Sequence, residues 1–280
     1  LTVRGGTCFG SPSSSSGDGG VCDGYFYQAH LEVGGDVVCT GGRGGDSLSL
    51  SAGTSLGGGG YSRMAFLYSL FDFGDYLTIT GGKGGSDRQT AGHANLGVCG
   101  DGGDAYLSVF SSIVVPGNDV SVIGGAGGDE CGRPGYGGEA SIDMYAGIGE
   151  RFSASQLFND IIIVGGTGGL AVISDTGEYG VISAGGGNAG IRVNCTILQA
   201  DNLYLYGGAT GDLLLSDYYI YTDSFYPITR FQAGEAQFLA YHSAVHIRGV
   251  VQIAGGNGGT VVEYYQYAVD HAFATFGGHA

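Results

Sequence analysis

The sequence predicts an all-β protein built as a parallel β-helix, a β-solenoid of about seven coils, on three observations. Gly-rich clusters of the form GGxGG recur at intervals near 40 residues. A short strand-forming run with apolar residues at alternate positions precedes each repeat of the cluster. No long stretch carries the 3.6-residue period of a helix, and short apolar runs are rich in Val, Ile, Tyr and Phe. A fixed period of this length is the signature of stacked repeats.

The clusters start at Gly5 (GGTCFG), Gly41 (GGRGG), Gly81 (GGKGG), Gly124 (GGAGG), Gly165 (GGTGG), Gly207 (GGATG) and Gly255 (GGNGG), with successive spacings of 36, 40, 43, 41, 42 and 48 residues. Counting back from the first glycine, the second position holds Cys39, Ile79, Val122, Ile163, Leu205 and Ile253, and the fourth holds Val37, Leu77, Val120, Ile161, Leu203 and Val251. Both columns are apolar throughout, whereas the position between them varies, as a face turned from the core can. A second strand follows a further Gly pair, with Leu107, Ile142 and Ile191 in one inward column and Val109, Met144 and Val193 in the next. A third closes the unit in "IVVPG", "SQLFN", "TILQA" and "AVHIRG". Sixty glycines with only four prolines, and no Gly at every third position, exclude collagen. The glycines read as corners, needed either for φ > 0 or because stacked backbones leave no room for a Cβ.

Residues 1–280 therefore read as one solenoid domain, with units near 1–35, 36–74, 75–117, 118–159, 160–200, 201–248 and 249–280. Seven coils at roughly 4.8 Å give a rod on the order of 34 Å long. A β-sandwich or barrel would show strands every 8 to 12 residues or so without the longer super-period. Coils of this length must carry loops, as in "TSLGGGGYSRM", "TAGHANLGVCGDGG" and "DECGRPGYGG".

Ten basic against 26 acidic residues give a formal charge of −16, which repels nucleic acid and anionic lipid. No run is long and apolar enough for a membrane helix, and the chain begins at Leu1 as a processed or partial chain would. The glycine clusters lack the following helix of a dinucleotide fingerprint and the GK[ST] of a phosphate loop. A calcium β-roll motif fits once, around Asp46 in "GGRGGDSLS". Asp36, Asp75, Asp119 and Asp160 form a column of acids ahead of the first strand. Capping of turn N–H groups is the ordinary reading of that column and bound calcium the sharper one, leaving Asp46, Asp36, Asp119 and Asp160 as weak calcium candidates and no cofactor expected otherwise. Polysaccharide cleavage would need paired acids or a basic cluster in a groove, and the six His and ten Lys and Arg are scattered. His242 and His246, four apart, would share a strand face without a third metal ligand nearby.

The six cysteines form no CxxC pair. Cys8 with Cys22, and Cys99 with Cys131, are candidate disulfides of a secreted protein, while Cys39 and Cys195 fall in inward columns and read as buried free thiols. One sequon stands at Asn194, on an outward position, and "SPSSSSGDGG" reads as a flexible tract. Neither end of the rod looks capped, so Leu1, Val3, Tyr264, Tyr265 and Tyr267, with outward Tyr204 and Tyr206, are candidates for head-to-tail self-association into a filament.

"GGRGGDSLSLSAG" (Gly41 to Gly53), echoed in "GGEASIDMYAG" (Gly137 to Gly147), resembles the Gly-rich repeats of secreted cell-surface and flagellar-hair proteins of algae and related protists, and more distantly β-helical bacterial adhesins. The resemblance implies an extracellular or cell-surface, glycosylated, non-catalytic role. The leading expectation is a homo-oligomeric filament or appendage subunit, with glycans as a further partner class and neither nucleic acid nor membrane insertion. The alternatives are a carbohydrate-binding adhesin or tail-fibre module and, third, a β-helical polysaccharide-degrading enzyme.

Overall fold

The computed structural model describes residues 2–6, 17–47, 55–86, 97–146, 155–173, 184–215, 231–259, 261–263 and 275–276. Among them the fold is all-β and β-solenoid-like, and its named strand pairs run parallel. Sheet A stacks Thr2–Arg4, Val37–Thr40, Leu77–Thr80, Val120–Ile123, Ser155–Val164 and Ile197–Tyr206, with Ala244–Ile247 and Val251–Ala254 both pairing to the last of these. Sheet B stacks Cys22–Tyr27, Ser62–Leu67, Ala105–Phe110, Ala140–Tyr145, Ala189–Asn194 and Ala236–Tyr241. A shorter sheet C holds His30–Val33, Leu70–Phe73 and Ile113–Pro116.

The register follows the apolar columns. Val37, Leu77, Val120, Ile161, Leu203 and Val251 are successive Cα partners, as are Cys39, Ile79, Val122, Ile163, Leu205 and Ile253. In sheet B, Leu107, Ile142 and Ile191 align in the same way. A one-residue slip would send every one of these side chains to the solvent face, so burial of one face pins the register. Sheets A, B and C enclose one core, widest near Phe66, Phe71 and Phe73, all fully buried. There the rings of Phe66 and Phe71 stack with centroids 4.4 Å apart, and Phe26 lies 5.1 Å from Phe66.

The glycine clusters are not corners. Residues 41–46 and their cognates run without a bend, and none of the glycines in them adopts a left-handed φ. The chain bends instead after five of the six sheet B strands, at Gln28, Tyr68, Ser111, Cys195 and His242, non-glycine residues with φ between 44° and 54°. Left-handed backbone costs such residues about 1–2 kcal/mol each, and a column of hydroxyls offsets it. Ser69 Oγ donates to the Leu67 carbonyl at 2.8 Å and accepts the Ala29 N–H at 3.1 Å. Ser112 Oγ repeats the motif one rung on, donating to Phe110 and accepting the Ser69 N–H at 2.9 Å, and Ser243 donates to Tyr241. In two rungs the third strand and the sheet A strand form one element, Ser155–Val164 and Ile197–Tyr206, whose pairing skips Asn159 and Asp201 and whose inward alternation breaks there.

Close approach of backbones is what the glycines serve. Each repeat makes two glycine passes across the rod, GGxGG outbound and a second pair on return, and they lie against each other. An unbroken chain of N–H···O=C bonds alternates between them: Gly20 to Gly6, Gly42 to Gly20, Gly60 to Gly42, Gly82 to Gly60, and so on by way of Gly103, Gly125, Gly138, Gly166, Gly187, Gly208 and Gly234 to Gly256, at 2.6–2.9 Å. The first and fourth residues of a cluster bond sideways, as Gly41 does to Thr80 and Gly44 to Lys83. The second and fifth bond across, as Gly42 does to Gly20 and Gly45 to Gly17, and only the third residue, Arg43 here, carries a side chain outward. This period of three is that of a polyproline-II-type strand. Proline itself would remove the N–H each bond requires, which accounts for glycine in its place.

A methyl built on Gly82 overlaps the carbonyl of Gly42 and approaches the Gly60 nitrogen, all backbone that cannot yield locally. Gly82→Ala is expected to lose about 3 kcal/mol or fail to fold, whereas Gly35→Ala, which meets nothing closer than a side-chain atom of Asp75 at 4.0 Å, is expected to be near neutral. Urea unfolding of the two variants checks this, and equal stability would contradict it.

Candidate functional site

Several of the described acids have a structural use. Asp36 Oδ1 accepts the Tyr76 N–H at 3.3 Å and Asp119 Oδ1 the Asp160 N–H at 3.2 Å, each one coil on. Asp160 accepts from Asn202 Nδ2 at 2.7 Å, and Asn202 Oδ1 accepts the Val250 N–H at 2.8 Å. Asp46 accepts the Ser86 N–H at 2.9 Å and pairs with Arg43 at 2.8 Å. The same capping recurs at Asp18, Asp101, Asp104 and Asp129, toward Gly58, Tyr136, Glu139 and Leu170. Among the described residues no three acid, His or Cys side chains converge as a metal site would need, so the four calcium candidates are not brought together.

The cysteines pair differently from expectation. Cys22 bonds Cys39, with Cα atoms 5.8 Å apart, because the strands Cys22–Tyr27 of sheet B and Val37–Thr40 of sheet A face one another across the core; Cys39 is therefore not a free thiol. Cys8 lies outside the described residues. Cys99 bonds Cys131, Cα atoms 5.6 Å apart, in a small buried cluster with Leu56 beyond the glycine spine. Cys195 is free but only half-buried, because it occupies a left-handed corner and not an inward column. Asn194 ends its strand on the outer face, half-buried, and Thr196 of the same sequon is buried at the corner position that Ser69 and Ser112 fill elsewhere. His242 sits at a corner and His246 in the next strand, so the corner separates two exposed side chains that a single strand would have aligned.

Leu1, Tyr264, Tyr265 and Tyr267 lie outside the described residues, and Val3 is placed only by its backbone, which pairs with Cys39 in sheet A. Tyr204 and Tyr206 stand on the flank of sheet A, away from the first sheet strands, with near-parallel rings 6.5 Å apart.

The feature with most chemical potential lies on the outer face of sheet B, where Arg63, Tyr106, Ser141, Gly190 and Gln237 form one outward column. At Gly190 the column is interrupted, and a depression of about 250 Å³ opens there. Glu139, Asn188 and Glu235 line one side, Asp143, Arg192 and Leu239 the other. Asn188 spans the first row, donating to Glu139 at 3.3 Å and accepting the Glu235 N–H at 2.9 Å. Arg192 donates to the Tyr145 hydroxyl at 3.1 Å and lies 3.9 Å from Asp143; that hydrogen bond first, then the nearby charges, hold its guanidinium above the usual pKa range. The notch escaped detection in the sequence because the glycine of "NAGIRVN" looks like one more of sixty; the signal was its outward parity in mid-strand.

Tyr106, two rungs before Gly190 in this column, donates to Asp104 Oδ2 at 2.8 Å. Burial, then that hydrogen bond and the charges of Asp104, Glu139 and Asp143, push its pKa well above the usual value. A raised folded-state pKa stabilises the fold below the unfolded value near 10, and the contribution drains away as pH rises from there toward the folded-state value. The wild type is therefore expected to exceed Tyr106→Phe by about 1 kcal/mol at pH 8 or so, with the difference shrinking above about pH 10. Urea midpoints across that range check it, and a constant difference would contradict it.

No family model matches the chain, and no curated protein matches it. Among solved structures it is similar to the springtail antifreeze protein of Granisotoma rainieri, described as a bundle of nine polyproline type II helices, with 21% identity over 60% of this chain and 74% of that one. The TM-score of 0.14 is too low for that likeness to bear on fold or function.

Proposed function

We propose that the protein is a non-catalytic structural subunit of an extracellular filament or surface appendage, a single β-solenoid of about seven coils that self-associates end to end. One observation carries the reading: among the described residues, the terminal strands of the stack keep large apolar side chains in solvent. At one end Tyr25 and Tyr27 are 57% and 55% exposed, and at the other Val250 and Val251 are 51% and 54% exposed. Strand edges with such side chains are templates for further pairing, and a contact between unlike ends does not close, so it builds a fibre. Two disulfides suit an oxidising compartment outside the cell. Asp36, Asp101 and Asp119 cap backbone N–H groups of the next coil, a structural use of acids. Asn194 supplies a candidate glycan attachment on the flank.

With −16 charges per copy, association must work against mutual repulsion. The expected outcome is therefore short rods in negative stain whose length grows with protein concentration and with salt between about 10 and 150 mM, as the Debye length falls from about 30 to 8 Å. Val251→Lys is expected to shorten them. Monodisperse monomers under all these conditions would contradict the reading.

A further inference from the structure

We infer that the notch at Gly190 binds a neutral saccharide unit. The reasoning starts from the glycine. Along the spine, a Cβ at almost any glycine would overlap backbone of the opposing pass, so those glycines are forced by packing. Gly190 is different: a Cβ there would meet only the Gln237 carbonyl, at 3.9 Å, and the backbone is not left-handed. Neither packing nor conformation requires glycine, and mid-strand glycine weakens a strand. What the missing side chain creates is the depression itself, floored by bare backbone, the arrangement in which a strand glycine admits a ligand.

The walls state the ligand's chemistry. Glu139, Asp143 and Glu235 supply carboxylate acceptors, while Arg192, Asn188 and Gln237 supply donors on the same rim. A set that both gives and takes hydrogen bonds over a few ångströms matches vicinal hydroxyls, each of which is donor and acceptor. Three carboxylates disfavour an anion, an exposed guanidinium in the wall disfavours a simple cation, and no three-ligand metal cluster exists among the described residues. The volume, about 250 Å³, is smaller than the roughly 300–1,000 Å³ of drug-sized pockets and open to solvent. It suits a single sugar ring held weakly, at millimolar Kd or so, for which repeated display along a surface would supply avidity. The inference does not depend on self-association, since the notch lies on the flank of one chain.

The test is saturation-transfer NMR on the full chain with methyl β-glucoside, methyl α-mannoside, methyl β-galactoside and N-acetylglucosamine, each alone, and with spermine as a cationic probe. At least one sugar is expected to bind with a Kd of about 1–10 mM. Gly190→Gln continues the column toward Gln237 and fills the notch; it is expected to weaken binding at least about fivefold without lowering the melting midpoint. The double variant Glu139→Gln, Asp143→Asn leaves the notch open and is expected to weaken binding as well. Absence of binding by all four sugars, equal binding by Gly190→Gln, or binding of spermine alone would each overturn the assignment.

Discussion

The close contact of paired glycine passes, stacked coil upon coil, is the constraint on which the rest of the molecule depends. Two strands can bring their backbones together in this way only where neither carries a Cβ, and each coil adds one more pair of such segments. Their N–H groups cannot reach water, so every one must find a carbonyl, and the alternating ladder from Gly6 to Gly256 is how they do. The apolar core between sheets A, B and C then lies to one side of the spine and the small Leu56, Cys99 and Cys131 cluster to the other. Hydrophobic burial fills each compartment, but the glycine contact sets how far apart their walls stand.

The acidic charge follows from the same stacking. Wherever the chain leaves one element for the next, an N–H of the following coil is exposed, and a short side chain with an oxygen acceptor satisfies it with little rotamer entropy lost. Asp36, Asp101, Asp104, Asp119 and Asp129 all do this, and Asn188 and Asn202 do it without charge. Repetition of one capping solution in coil after coil concentrates negative charge on the rod, and a few cross-coil ion pairs such as Arg63 with Asp23 and Lys83 with Asp129 relieve it locally. Tyr25, Tyr27 and Val251, exposed in their strands, take no part in this capping.

The strands and their register were legible because alternation and a long period act together: Ile161 and Ile163 align with Val120 and Val122 in the sequence as they do in space. The bends were not legible, since Tyr68, Ser111 and His242 are ordinary residues forced into left-handed backbone by the geometry of stacked strands, and the serines that support them act only in pairs from successive coils. Glycine misled in the opposite direction. Of the two reasons the sequence offers for glycine, a left-handed φ or close backbone approach, the spine uses the second, the absence of a Cβ. The Cys22–Cys39 bond stayed hidden for a related reason: facing strands of sheets A and B are neighbours across the core although nothing in their spacing of 17 residues says so.

If the spine is the element that unfolds last, its amides should be the slowest to exchange with solvent although the sequence there has almost no side chains to bury. Hydrogen exchange resolved at Gly82, Gly103, Gly125 and Gly166 tests that claim most directly. The expected result is exchange only through global unfolding, with protection equal to that of Ile79 and Ile163 in the apolar core and the same dependence on denaturant. Rapid exchange of these glycines while the core amides stay protected would show that the sheets hold the fold without the spine, and would contradict the account.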